Sequence, residues 1–369
     1  LKKDFMAVIN FRASLRKFDW VLLSLVVVLV AISLATIYSI DLSQGEKLQY
    51  FPKQSIAFFI GLVLIFAASF FHISFFRTNA KLFYALAIFL LIAVLFFGQT
   101  IRGTRGWFNV AGFSFQPAEF AKVGLIIFLA WWINRYGRRF DKWQFVFTSG
   151  FFCLVLVGLI MLQPDMGSAL VLGGIWFGYL FLTGIKKRYI LLLVVSGLLL
   201  FLVSWFFIFQ DYQKNRIMNF FDASQDPLGV GYNVTQSIIA IGSGQVMGRG
   251  LGFGSQSQLH FLPEAQTDFI FAVVSEELGF IGSSLVLIVF FLLLWRLLYI
   301  AKKSQDEFST YLILGIILLF FIHILINIGA VSGFMPVIGV TLPFLSYGGS
   351  SLIINMFLIG IAESVACHS

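Results

Sequence analysis

The sequence predicts an all-α, polytopic integral membrane protein of about ten transmembrane helices, and three observations lead there. Only 11% of the 369 residues are charged and 59% are apolar, whereas soluble domains carry about 25% charged residues. Uncharged apolar runs of about 20 residues recur from end to end, each long enough to cross the hydrocarbon core. Backbone polar groups find no partner in lipid, so such runs become helices. Lys and Arg fall mainly in alternate connections between the runs, as a chain threaded back and forth requires.

The first span, near 21–40, follows a basic start that could pass for a secretory leader. Its apolar stretch is too long for one and further spans follow, so it is read as a retained helix. Spans near 55–73 and 82–98 are plain apolar runs. The fourth, near 117–134, opens on Pro117, which suits the first helical position. The fifth and sixth, near 145–162 and 166–185, are joined by the short turn Gln163-Pro164-Asp165, where Asp165 is expected to cap the sixth. The seventh lies near 189–210. The eighth, near 269–300, is too long for a simple crossing and is expected to begin as a partly buried segment. The ninth and tenth lie near 309–332 and 340–362. Residues 1–369 form a single transmembrane domain with one large loop, 211–267. There is no internal repeat of the kind many transporters show.

Orientation follows from the basic residues. The N-terminal segment and alternate connections hold 17 of the 25 Lys and Arg, and the opposite connections hold 7; Lys122 lies within a span. The asymmetry puts both termini in the cytoplasm and loop 211–267 outside. In a soluble protein the net charge of +8 would suggest nucleic acid; membrane orientation accounts for it here, and no nucleic-acid partner is expected. Cys153 inside a span and Cys367 near the end imply no disulfide framework.

The chemistry-bearing residues gather on the external side. Loop 211–267 is dense in glycine from Gly229 to Gly254, and such a segment is either flexible or folds its N–H groups around an anion. Arg102, Arg105, Arg216 and Arg249 are external and suit an anionic ligand. Glu119 sits in the first turn after Pro117, three residues before Lys122, so the two can pair on one helix face. That pair is either structural or functional; an ionisable pair within a span raises the second reading. Asp268 stands where a polar loop becomes an apolar helix. A half-buried carboxylate there should have a raised pKa, which suits a general base taking a proton from a sugar hydroxyl. An N-cap role is the alternative. Glu276 and Glu277 lie two turns deeper, and one of them is expected to face the interior. His323 and Asn327, four apart, share a helix face, more simply as a helix contact than as a ligand pair. There is no His/Cys metal spacing, Walker-type loop or serine–histidine constellation.

Several longer motifs then resemble one family. They are Gln116-Pro117-Ala118-Glu119 with Lys122; Gln163-Pro164-Asp165-Met166-Gly167-Ser168; and Asp226-Pro227-Leu228-Gly229 leading to Gln236-Ser237. Next come Pro263-Glu264 with Thr267-Asp268-Phe269-Ile270-Phe271, and Leu342-Pro343-Phe344 with Ser346-Tyr347-Gly348-Gly349. In this order they resemble the SEDS proteins (shape, elongation, division and sporulation). Phe18-Asp19-Trp20 and the Thr267–Phe271 run are more similar to the RodA branch than to FtsW. Ala118 replaces a common serine, Gln245 a common glycine and Arg249 a frequent lysine, and Gly106 stands where many relatives have arginine.

The resemblance implies a peptidoglycan glycosyltransferase of the bacterial cytoplasmic (inner) membrane that polymerises lipid II outside, for cell elongation and shape. It implies a class B penicillin-binding protein as partner, beside membrane lipids. Asp268, Glu119 and Lys122 match the family's functional aspartate, glutamate and lysine. Gln116, Glu264, Ser346 and Tyr347 join the four arginines as substrate-binding candidates. The reaction expected is inverting, with polyprenyl diphosphate leaving. A divalent cation, Mg²⁺ or Mn²⁺, is compatible with the diphosphate, and no organic cofactor is expected. A lipid-linked precursor flippase and a non-enzymatic scaffold for the penicillin-binding protein are the alternatives.

Overall fold

The computed structural model describes residues 17–368 except 44, 46–47, 102, 111–112, 137–142, 208–213, 215–217 and 219–229. It is a helical bundle. The helices are α1 (Trp20–Ser43), α2 (Phe51–Phe70), α3 (Ile73–Thr78), α4 (Ala80–Phe97), α5 (Pro117–Tyr136), α6 (Trp143–Met161), α7 (Met166–Leu182), α8 (Lys187–Phe207), α9 (Val230–Ser243), α10 (Ser255–Gln258), α11 (Ile270–Lys303), α12 (Glu307–Val331) and α13 (Gly349–His368). Among the described residues nine of these are long and apolar enough to cross a membrane, and α7 is a shorter apolar helix. Together they correspond to the ten expected spans.

One boundary differs from expectation, and one element is additional. The last helix begins at Gly349, not near 340. Pro343 and the glycines before and after it break the run, and residues 332–348 form an irregular segment held by side chains. Asn327 Nδ2 donates to the Val340 carbonyl at 2.8 Å, Ser346 Oγ accepts from Leu342 N at 2.8 Å, and Gln54 Oε1 accepts from Gly348 N at 3.1 Å. Backbone at membrane depth survives outside a helix only with such partners. Between α4 and α5 the chain also builds a small antiparallel sheet that periodicity did not signal: β1 (Gln99–Ile101), β2 (Thr104–Val110) and β3 (Phe113–Phe115), in the order β1-β2-β3.

The excess length of the eighth span is a break. Gly279 adopts φ 67° and ψ −162° inside α11. The half before it, Ile270–Glu277, is buried, whereas Phe280, Ile281, Leu285 and Phe291 after it are exposed. The N–H groups of Phe280 and Ile281, which open the second half, donate to the carbonyls of Gln245 and Val246. A Cβ on Gly279 would lie 2.2 Å from Gly248 N, and one on Gly248 (φ 81°) 2.2 Å from Glu277 O. Only glycine permits this contact of two backbones.

Small residues also bring α2 and α13 together. A Cβ on Gly360 would meet Ala68 Cβ at 2.8 Å and Ile65 Cα at 2.9 Å, the close approach that drives helix association in lipid. At the start of the bundle Asp19 accepts from Leu22 N and from Arg296 Nε at 2.6 Å, and its own N–H donates to Glu363. One residue thereby caps α1 and ties it to α11 and α13. Arg135, Lys302 and Lys303 occupy last helical turns, and Arg77 pairs with Asp306 at the start of α12. These charges mark one end of the bundle, and the cavity described next lies at the other.

Candidate functional site

Four helices begin around one cavity: α2, α5, α7 and α13 contribute their first turns or the residues just before them. The cavity has a volume of about 360 Å³, near the lower bound of small-ligand sites, about 300–1,000 Å³. Its floor is α5. Glu119 and Lys122 are buried, and Lys122 Nζ donates to Glu119 Oε1 at 2.9 Å. Lys122 Nζ also lies 3.3 Å from His323 Nε2 on α12. A buried charge pair persists only with such partners. Gln116, just before α5, donates through Nε2 to Asp165 Oδ2 at 3.0 Å and through its backbone to Ser350 Oγ at 3.1 Å. Asp165 caps α7 as expected, accepting from Ser168 N at 2.9 Å.

Asp268 is half-buried and lines the same cavity as Glu119, Lys122, Gln116 and Asp165. It is not the cap of α11: the helix starts at Ile270 and Phe269 precedes it. Its backbone is fixed from two sides. Asn327 Nδ2 donates to the Asp268 carbonyl at 3.0 Å, and Ser346 Oγ donates to the Thr267 carbonyl at 2.7 Å. Irregular residues 339–341 and Gly348–Ser351 close one wall, and Ile101, Thr104, Trp107 and Ser114 of the sheet form another.

The substrate-binding candidates divide. Gln116 and Tyr347 line the cavity. Tyr347 stacks edge-on against Tyr50 with ring centroids 4.8 Å apart. Ser346 is buried behind the wall, bracing Leu342 and Thr267. Glu264 adopts φ 55° and accepts from Thr267 Oγ1 at 3.1 Å, outside the lining. Arg105 lies on β2 and donates to the carbonyls of Gly98 and Phe96 at 3.1 and 3.0 Å, closing the end of α4. Arg249 donates to the Ser243 carbonyl at 3.0 Å. Neither arginine lines the cavity. Arg102 and Arg216 lie outside the described residues.

The glycine-dense segment and the turn after it do collect carboxyl groups, and these are the protein's own. Gly252 N donates to Glu277 Oε1 at 3.2 Å, and Ser39 Oγ and Gln258 Nε2 reach the same oxygen. Glu276 accepts from Gln256 N at 2.8 Å and Ser257 N at 3.1 Å. Both glutamates face the interior, and both hold the loop against the break in α11.

Residues absent from the sequence-based candidates also line the cavity: Lys53 in the first turn of α2, Tyr50, Trp107, Gln266 and His323. Among the described residues, Lys53 and Lys122 are the basic side chains that do so. Lys53 carried a signal in its place on the sparsely basic side; nothing local pointed to Trp107 or Gln266. No group of three or more His, Cys, Asp or Glu able to hold a metal occurs among the described residues.

Comparison with known proteins agrees with this architecture. The cell cycle protein family FtsW/RodA/SpoVE matches residues 14–369. The chain is 41% identical to the peptidoglycan glycosyltransferase MrdB of Escherichia coli K12 over 289 residues, 77% of each chain. It is 36% identical to the stage V sporulation protein E of Bacillus subtilis over 360 residues, 95% of this chain and 97% of that one. Among solved structures, a chain of a peptidoglycan synthase complex that coordinates polymerization and crosslinking superposes with a TM-score of 0.80 at 30% identity, covering 95% and 97%. The rod shape determining protein RodA of Thermus thermophilus superposes with a TM-score of 0.71 at 29% identity, covering 95% and 96%. With the family matched over nearly its whole length and the same bundle in solved relatives, this chain is a multi-pass membrane protein of the SEDS family.

Proposed function

We propose that the protein is a peptidoglycan glycosyltransferase that polymerises lipid II into glycan strands at the outer face of the bacterial cytoplasmic membrane, for cell elongation and shape. One observation carries this reading: a half-buried carboxylate, Asp268, shares a polar cavity with the buried Glu119–Lys122 pair. The cavity lies at the end of the bundle away from the basic helix termini, which supports an external opening.

Asp268 takes the proton from the acceptor's N-acetylglucosamine 4-hydroxyl. That oxygen attacks the anomeric carbon of the donor muramoyl sugar, the bond to the lipid diphosphate breaks, and the configuration inverts. A cavity of about 360 Å³ has room around the reacting hydroxyl and anomeric carbon, while the polyprenyl chain and stem peptide stay outside. Lys122 on the floor and Lys53 at the rim are the cations placed to meet charge on the leaving diphosphate. This replaces Arg105 and Arg249 in that role. The described residues offer no metal cage, and Glu119 and Asp165 are already engaged by Lys122, Gln116 and Ser168; a divalent cation, Mg²⁺ or Mn²⁺, would arrive on the diphosphate itself and when bound would offset charge on the departing oxygen. A class B penicillin-binding protein that crosslinks the strands is the partner proposed.

The test is lipid II polymerisation by purified protein, with and without the cognate penicillin-binding protein. Asp268→Asn should keep the fold and partner binding and lose at least about 100-fold in rate. Near-normal strand synthesis by that variant defeats the assignment. Translocation of fluorescent lipid II in liposomes without polymerisation would favour the flippase.

A further inference from the structure

We infer that His323 and Asn327 are positioning residues: one turn apart on α12, they clamp the candidate lysine and the candidate aspartate into one fixed arrangement. The inference rests on the proposed glycosyltransferase reading and adds two residues to it.

The hydrogen bonds determine what each side chain does. His323 Nδ1 lies 3.0 Å from the Thr341 carbonyl, and a carbonyl only accepts, so Nδ1 carries the proton. Nε2 lies 3.3 Å from Lys122 Nζ, and an ammonium only donates, so Nε2 accepts. His323 is thereby a neutral imidazole whose tautomer is set by irregular residues 339–341. Lys122 gives one N–H to Glu119 and one to His323, leaving the third for the cavity. Asn327 Nδ2 donates to both Asp268 O and Val340 O. Two carbonyl partners on one atom identify it as the amide nitrogen.

Both side chains are buried. Among the described residues Asn327 Oδ1 has no hydrogen-bond partner, and an unpartnered buried polar atom is destabilising. A position serving packing alone would do better with leucine. What the amide adds is a rigid link between α12, the Asp268 backbone and the 339–341 wall. The imidazole links the same wall to Lys122. The two links span residues 122, 268, 323, 327 and 340–341; all but Asn327, which lies behind the wall, line the one cavity. Misplacing a catalytic group by about 1 Å costs about 100-fold in rate, so a clamp on both groups matters more than either bond alone.

Four variants separate clamping from packing: His323→Phe and Asn327→Leu keep volume and remove the hydrogen bonds, whereas His323→Gln keeps an acceptor and His323→Ala leaves space. Each is measured for thermal unfolding and for the maximal rate and half-saturating lipid II concentration of polymerisation. His323→Phe and Asn327→Leu should remain folded, lose between about tenfold and 100-fold in maximal rate, and leave half-saturation unchanged. His323→Gln should stay within about threefold. Activity of His323→Phe or Asn327→Leu within twofold of the unmodified protein overturns the inference, as does His323→Gln failing like His323→Phe. Should His323→Phe not fold, His323→Ala is read in its place. An unmodified chain that does not polymerise lipid II overturns the underlying reading, and this one with it.

Discussion

Helices α5 and α8 are nearly the same length, 20 and 21 residues, and both are built to cross a bilayer. Among the nine long spans α5 has the lowest mean hydropathy and α8 shares the highest, yet α5 is 78% buried inside the bundle and α8 is 0% buried. In water the order would be reversed. In lipid the hydrocarbon outside is as apolar as any leucine, so no hydrophobic force sorts residues inward. The interior is then where small and polar residues can be afforded. Alongside α5, α13 is also 78% buried, and these two helices supply Glu119, Lys122, Ser350 and Ser351 to the cavity. Among the described residues, the exposed helix carries none that lines the cavity.

Four tests break or sharpen that contrast. The largest effect is expected on α5. Lys122→Met leaves Glu119 buried without its cation and should cost about 3–5 kcal/mol of stability, with polymerisation falling at least about 100-fold. Adding Glu119→Gln should restore most of the stability and none of the activity. Detergent unfolding beside the lipid II assay reads both, and restored activity in the double variant would remove the pair from the mechanism.

Next comes the same change made on both kinds of helix. Gly360→Ala on α13 drives a methyl into Ala68 and Ile65 and should cost about 1–3 kcal/mol by overpacking. Gly197→Ala on α8 meets nothing within 4 Å and should leave the unfolding temperature unchanged or slightly raised. Equal losses at the two sites would mean that α8 is packed against protein.

Ser346→Ala removes the bonds to Leu342 N and the Thr267 carbonyl. About 1–2 kcal/mol should be lost, and the polymerisation rate should fall because Asp268 follows Thr267. A binding role would instead raise the half-saturating substrate concentration at unchanged maximal rate. The smallest effect is expected at Arg105. Arg105→Ala loses bonds that close α4, about 0.5–1 kcal/mol, and polymerisation should stay within about twofold. A large kinetic defect there would return the arginine to the diphosphate.

The parts of the molecule legible in its sequence are those governed by neighbours along the chain. Bilayer thickness sets the length of each apolar run, so nine of the ten spans could be placed to within a few residues, while the tenth starts at Gly349 and not near 340. Pro117 and Asp165 start their helices where local capping chemistry says they should. Glu119 and Lys122 meet because three residues along a helix is nearly one turn. The surplus length of the eighth span announced its buried first part, but not the break that Gly279 and Gly248 make. What tertiary structure alone decided are contacts between distant residues. His323 reaches Lys122 across 201 positions, and Asn327 reaches the Asp268 carbonyl across 59. Arg105 and Arg249 were expected to be external from their sequence position, but their guanidinium groups go to nearby carbonyls rather than into the cavity. A side chain's position in sequence fixes its depth in the bilayer, but its partner depends on how helices rotate and pack, and that is settled only when the whole bundle comes together.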